Sequence, residues 1–161
     1  MYNHRRALMF IALAGALAFP GALRAQAPAG RFIAGSDPFL NGPDGVATVY
    51  DTKTKLTWQR DPTGPFPVGA GPTNPVGVCA DLTLSTGAVG WRLPTLKELL
   101  TIVDYAGDHG PSALIDDQFF PNTPASGFVS ATSSPAHPVQ CVDFSNGWLG
   151  CYAANYQRCV R

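Results

Sequence analysis

Four cysteines, Cys79, Cys141, Cys151 and Cys159, constrain this 161-residue chain more than any other feature. What they mean depends on the compartment, and the N-terminus addresses that. His4, Arg5 and Arg6 give a basic start, residues 7–19 form an uninterrupted apolar run, and Pro20 and Gly21 break it before small residues around Ala25 and Ala27. A basic start, a short apolar core and a small-residue exit make a secretory signal pattern. The run falls short of the roughly 20 residues a membrane-spanning helix needs. Cleavage is expected after Ala25, since a cut after Ala27 would leave Pro28 at the new terminus. An even number of cysteines in an exported chain reads first as two disulfides. Zinc is the competing reading, but there is no C-x-x-C pair and no histidine at ligand spacing from a cysteine. Four cysteines allow three pairings, and spacing does not choose among them.

The expected division is a signal peptide over residues 1–25, a flexible lead-in over 26–45 and one domain over 46–161. Removing 1–25 takes away Arg5, Arg6 and Arg24, so the formal charge moves from zero (11 basic against 11 acidic) to −3 (8 against 11). Without a basic stripe, nucleic acid is not an expected partner. No second long apolar run follows the signal, so no membrane insertion is expected after its removal.

Short β-like runs at 47–50 and 56–59 flank the polar turn Asp51-Thr52-Lys53-Thr54, which reads as a hairpin. Residues 61–75 carry five prolines with Gly64, Gly69 and Gly71, a long loop. A short helix is expected over 76–84. The clearest helix signal is the capping box Thr95-Leu96-Lys97-Glu98, with Leu96, Leu99, Leu100 and Val103 on one face. Another loop spans 108–127. Four β-like runs follow, at 128–132, 139–144, 148–152 and 156–160, the middle two joined by Ser145-Asn146-Gly147. Hairpin, two helices and a meander define an α+β domain.

Residues 90–99, Gly-Trp-Arg-Leu-Pro-Thr-Leu-Lys-Glu-Leu, are similar to the W-R-L-P-T-x-x-E-L signature of the C-terminal domain of the Legionella collagen-like adhesin (Lcl). Residues 52–60, the Phe119-Phe120-Pro121 segment and the ending Arg158-Cys159-Val160-Arg161 resemble three further signatures of that family. The resemblance spans about residues 45–161. It implies a C-type lectin-like fold: small antiparallel sheets, two flanking helices, a loop-rich surface and two nested disulfides, Cys79–Cys159 and Cys141–Cys151. The fold branch also holds the formylglycine-generating enzyme, which shares an R-L-P-T segment. Two departures stand out. The Glu-Pro-Asn or Gln-Pro-Asp and Trp-Asn-Asp motifs of a calcium-dependent sugar site are missing, and the stretch before the third cysteine reads Gly147-Trp148-Leu149-Gly150. The nested pairing would also leave no thiol for formylglycine-type chemistry.

Catalysis finds little support. Asp108-His109 could be drawn with Ser130, Ser133 and Ser134 as a triad, yet no Gly-x-Ser-x-Gly elbow exists. His137 is the remaining histidine of the mature chain, and it too lies in loop sequence. Asp116-Asp117 reads as a solvated turn rather than an acid–base pair. Trp58 and Trp91 read as core residues, and Arg92 as a partner for loop carbonyls or a carboxylate. Pro94, Thr95 and Glu98 belong to the helix entry. No ligand set for zinc, calcium or haem is expected, and no cofactor.

The candidate ligand-binding residues are Asn146, Trp148, Tyr152, Asn155, Tyr156 and Gln157. Aromatic faces stack on pyranose C–H surfaces while amides satisfy hydroxyls, and the same residue types make adaptable protein-binding surfaces. The opposing reading has Trp148 and Tyr156 facing inward and the asparagines forming turns. The expected function is an exported, non-enzymatic module of the periplasm or cell exterior that recognises a glycan or another surface component. The resemblance also carries a lead to sulfated polysaccharide, which the mildly acidic mature chain fits poorly. The alternatives are a protein-interaction or variable-display scaffold and, third, a formylglycine-generating-like enzyme.

Overall fold

The computed structural model describes residues 27–36, 46–66, 75–82, 89–106, 112–135, 139–150 and 154–161. In chain order these form β1 (Phe32–Ser36), β2 (Val46–Asp51), β3 (Leu56–Gln59), α1 (Pro75–Ala80), α2 (Leu96–Thr101), β4 (Gly127–Val129), β5 (Cys141–Asp143) and β6 (Ala154–Tyr156). Two three-stranded sheets result, ordered β1-β2-β3 and β5-β4-β6. This is a small α+β architecture.

The first sheet grows from the expected hairpin. β2 and β3 pair antiparallel, with Val49 opposite Trp58. The turn is set by Asp51, whose Oδ1 accepts from the N–H groups of Lys53 (2.9 Å) and Thr54 (3.3 Å), while Lys55 takes a positive φ of 64°. A carboxylate bonding its own downstream amides is the usual chemistry of such turns. The expected flexible lead-in needs correction. Phe32–Ser36 pairs antiparallel with β2, and the Phe32 ring is buried against Phe120 at 5.3 Å. Arg31 pins the start of this strand, its Nη2 donating to Asp51 Oδ2 (2.9 Å) and to the Thr101 carbonyl at the end of α2 (2.6 Å).

The capping box at α2 is formed in full. Glu98 N–H donates to Thr95 Oγ1 (3.2 Å), and Thr95 N–H donates to Glu98 Oε2 (2.8 Å). The helix is short and ends before Gly107, with Leu99 buried and Leu96, Leu100 and Val103 packed at the core's margin. The first helix begins at Pro75, a ring suited to a first turn because the N–H it lacks would have no helical partner there.

The meander also needs correction. β4 is the centre of the second sheet, antiparallel to β5 but parallel to β6. Of the run expected at 148–152, the described residues 148–150 form no strand. Leu149 alone bridges back to Val142, and residues 151–153 lie outside the described set. Beyond β6 the chain leaves the second sheet and inserts between β3 and the Arg92 segment. Thr57 and Gln59 bond Arg161 and Cys159 through the backbone, Thr63 bonds Gln157, and Val160 and Arg92 exchange two bonds of 2.9 Å.

One core lies between these layers, with Trp58, Leu99, Phe120, Phe128, Phe144 and Val160 at its centre. A second, smaller cluster surrounds the Cys79–Cys159 disulfide with Trp91, Leu93 and Val129. This bridge matches the outer of the two nested pairs. No described cysteine is a free thiol, and Cys151, the partner expected for Cys141, lies outside the described residues. Among the described residues no helix is long and apolar enough to cross a membrane.

Two predictions follow from this frame. The Cys79–Cys159 bridge closes a loop of 80 residues. Replacing both cysteines by serine should lower unfolding free energy by about 4–5 kcal/mol, measured by denaturant titration. Glu98, held by Arg92 and the Thr95 amide, has its pKa lowered from 4.5 to about 2. Because the folded value is the lower one, its contribution is complete above pH 4.5 and is lost as pH falls toward 2. Glu98→Gln should therefore destabilise by about 1 kcal/mol at neutral pH, a difference that shrinks across that acid window.

Candidate functional site

The W-R-L-P-T-x-x-E segment is a structural device. Trp91 and Leu93 are buried in the disulfide cluster. Arg92 ties its backbone to Val160 and sends its guanidinium to Glu98 in a two-pronged ion pair of 2.8 and 2.7 Å. The Pro94 carbonyl accepts from Ala131 N–H at 2.8 Å, and Thr132 Oγ1 accepts from Leu96 N–H at 2.9 Å. The described hydrogen bonds of the motif all lie inside the domain, where they tie α2 to the last segment and to residues 131–132. Trp58 is fully buried.

The residues singled out near the C-terminus do not stay together. Gln157 is fully buried and lies on the inserted last segment, where its backbone pairs with Thr63. Tyr156 is half-buried and stacks on Phe128, with centroids 5.7 Å apart and planes at 24°. Tyr156 is held by its stacking on Phe128 of the neighbouring strand β4, and Gln157, just beyond β6, is enclosed where the last segment pairs with Thr63. Asn155 lies on β6, and Tyr152 falls outside the described residues.

Asn146 and Trp148 take the opposite course. Residues 144–147 connect the two arms of a hairpin, with Asp143 N–H donating to the Trp148 carbonyl (2.9 Å) and Gly147 N–H to the Asp143 carbonyl (2.7 Å). Three side chains fix this turn. Phe144 is buried against Phe128, rings 4.8 Å apart. Asp143 Oδ1 accepts from the N–H (2.8 Å) and hydroxyl (2.6 Å) of Ser145. Asn146 Oδ1 accepts from Trp148 N–H at 2.8 Å. The indole itself is 70% exposed, and its neighbour Leu149 is 54% exposed.

Tyr105, which sequence reasoning missed, completes the surface. It leaves the end of α2, is 62% exposed, and donates its hydroxyl to the Gly147 carbonyl at 3.1 Å. Its ring covers the α-carbon of Gly147 so closely that a methyl group there would run into it. The sequence signal was weak: an aromatic residue in the Asp- and Gly-containing exit of a helix, past the last residue of its apolar face.

Two of the candidates for catalysis, Asp116 and Ser130, are engaged within the fold, and Asp108 lies outside the described residues. Asp116 is buried rather than solvated, its carboxylate accepting from Ala27 N–H (3.0 Å) and Gln118 N–H (3.1 Å). Ser130 Oγ donates to the Gln140 carbonyl at 2.9 Å. His109 and His137 lie outside the described residues. Among the described residues no group of three or more histidine, cysteine, aspartate or glutamate side chains could hold a metal ion.

Fold and site together define a small, disulfide-stapled α+β domain with a packed interior and, among the described residues, an exposed aromatic hairpin. The family model of the Lcl C-terminal domain matches residues 47–161, and the chain belongs to that family. No curated protein and no solved structure matches the chain significantly.

The hairpin geometry makes a test. Gly147 has a φ of +75° and sits under the Tyr105 ring. Gly147→Ala should cost about 1–3 kcal/mol from backbone strain and the clash together. Adding Tyr105→Ala should recover part of that loss in a double-mutant cycle read by thermal unfolding.

Proposed function

We propose that this domain is an exported, non-enzymatic, adhesin-like binding module that recognises glycans on a C-type lectin-like fold. Its contact surface is the hairpin at 143–149. The reading rests on one observation: Trp148 projects 70% exposed from a turn that Asp143, Asn146 and Tyr105 hold in a fixed shape. A large aromatic side chain left in water contributes nothing to the core, and an exposed apolar patch is the informative kind of surface. A rigid indole gives a flat apolar face for a sugar ring at small conformational cost. Export would place that face in the periplasm or outside the cell, where glycans are presented.

The pairing of the last segment with β3, which brings distant parts of the chain together, supports the C-type lectin-like assignment. The same exposed hairpin would also suit a protein-binding role, and Leu149 beside Trp148 favours that alternative if sugars fail.

Trp58 and Trp91 are buried, so changes in solvent quenching of indole fluorescence report on Trp148. Screening the exported protein against immobilised glycans should yield a ligand that protects Trp148 from acrylamide. Trp148→Ala should weaken that binding by about tenfold or more, the scale of a central aromatic contact. Its unfolding free energy should stay within about 0.5 kcal/mol of the parent, as expected for a surface position. Undiminished glycan binding by Trp148→Ala would remove the hairpin from the reading.

A further inference from the structure

The charge around this hairpin is as informative as its shape. From Glu98 to Gln157 the chain contains no lysine or arginine, while it carries Asp104, Asp108, Asp116, Asp117 and Asp143 besides Glu98. Every described hydrogen-bond partner of the hairpin belongs to this base-free stretch: Tyr105, Leu114 and Ser126. The arginines are committed elsewhere. Arg31 is paired with Asp51, Arg92 with Glu98, and Arg60 donates to the Phe119 carbonyl. Arg158 is wholly buried, and Arg161 lies over Trp91 at 5.3 Å. Among the described residues, none of those bonded to the hairpin is a cation, so a sulfate or carboxylate arriving at Trp148 would meet the Asp143 carboxylate of the turn.

What the hairpin does offer suits hydroxyl groups. Asp143 turns Oδ1 toward Ser145, leaving Oδ2 as an acceptor for a sugar hydroxyl. The Tyr105 hydroxyl spends its proton on the Gly147 carbonyl and keeps its oxygen as an acceptor. Exposed rings at Trp148 and Tyr105 supply the apolar faces. Carboxylates that accept from hydroxyls form strong charge-assisted hydrogen bonds while repelling anions.

We infer that the hairpin selects uncharged glycans and rejects sulfated and other acidic ones. This inference rests on the glycan-binding reading and names the substrate class of the same site. It gives the domain a ligand chemistry opposite to a heparin-type surface, which needs clustered arginine and lysine.

The test uses the exported chain and two matched sets of polysaccharides. Dextran, mannan, xylan and galactan form the neutral set, and dextran sulfate and heparin the sulfated one. Binding is read by affinity electrophoresis and by acrylamide quenching of Trp148, with the Trp148→Ala variant in parallel. The expected result is retention by a neutral polysaccharide, lost in the variant and changed less than about twofold between 50 and 500 mM NaCl, since no ion pair is there to screen. Binding to dextran sulfate or heparin that depends on Trp148 and weakens steeply with salt would overturn the inference and leave the glycan reading standing. Failure of every polysaccharide to bind would overturn both.

Discussion

The fold depends on a buried cation. Arg158 is fully enclosed, and its guanidinium donates to the carbonyls of Gln59 (2.8 Å) and Arg60 and to Thr123 Oγ1 (2.6 Å). The rings of Phe120 and Phe128 lie 4.7 and 5.8 Å from its centre. Burial pushes its pKa down to about 9, with the charge of Asp61 acting the other way, so it remains protonated at neutral pH. A cation without a buried carboxylate is tolerable only when fixed dipoles and aromatic faces replace water. Here those groups come from β3, the 119–123 turn and β4, so one side chain draws three parts of the chain to the last segment. The neighbouring residues finish the join: Cys159 is bridged to Cys79, and Val160 pairs with both Trp58 and Arg92.

That arrangement explains why the segments carrying the family resemblance are structural. Trp58, Trp91, Arg92 and the Arg-Cys-Val-Arg ending all meet at the inserted strand. Phe120 supplies a face to Arg158 and an edge to Phe32. These signatures are four sides of one junction. They identify the family over residues 47–161, and the side chains that make the junction, Trp58, Trp91, Phe120 and Arg158, are buried in it.

How much of this was legible depended on the range of the interaction. The capping box at Thr95 and Glu98 and the turn at Asp51 are short-range chemistry, and the residues alone dictate them. The Cys79–Cys159 pair came from family resemblance, since spacing leaves three pairings equal. β1 was hidden because Phe32–Ser36, FIAGS, is short, with a glycine and no strong alternation, and it owes its existence to β2 and the buried Phe32 ring. The surroundings of Tyr156 and Gln157 were not legible for a related reason. Alternation marks two faces of a strand but does not say which neighbour the strand will find, and β6 joins the central β4 in parallel. Tyr105 was illegible because its partner is a backbone carbonyl, that of Gly147, 42 residues away.

The same division separates what the domain must keep from what it can change. Removing Arg158 or Trp58 would strand buried carbonyls or open a cavity, at a cost of several kcal/mol out of a total that is seldom above 15. Trp148 and Leu149 contribute little to that total, being 70% and 54% exposed. Their backbone is nonetheless held in one conformation by Asp143, Asn146 and Tyr105, whose bonds lie within the hairpin or reach the Gly147 carbonyl. Side chains at 148 and 149 can therefore be exchanged without disturbing the junction at Arg158, while the turn presents any replacement in the same place. A fold built this way separates the stability of the junction from the side chains exposed on the hairpin, so membership in the family fixes the scaffold without fixing what those side chains are.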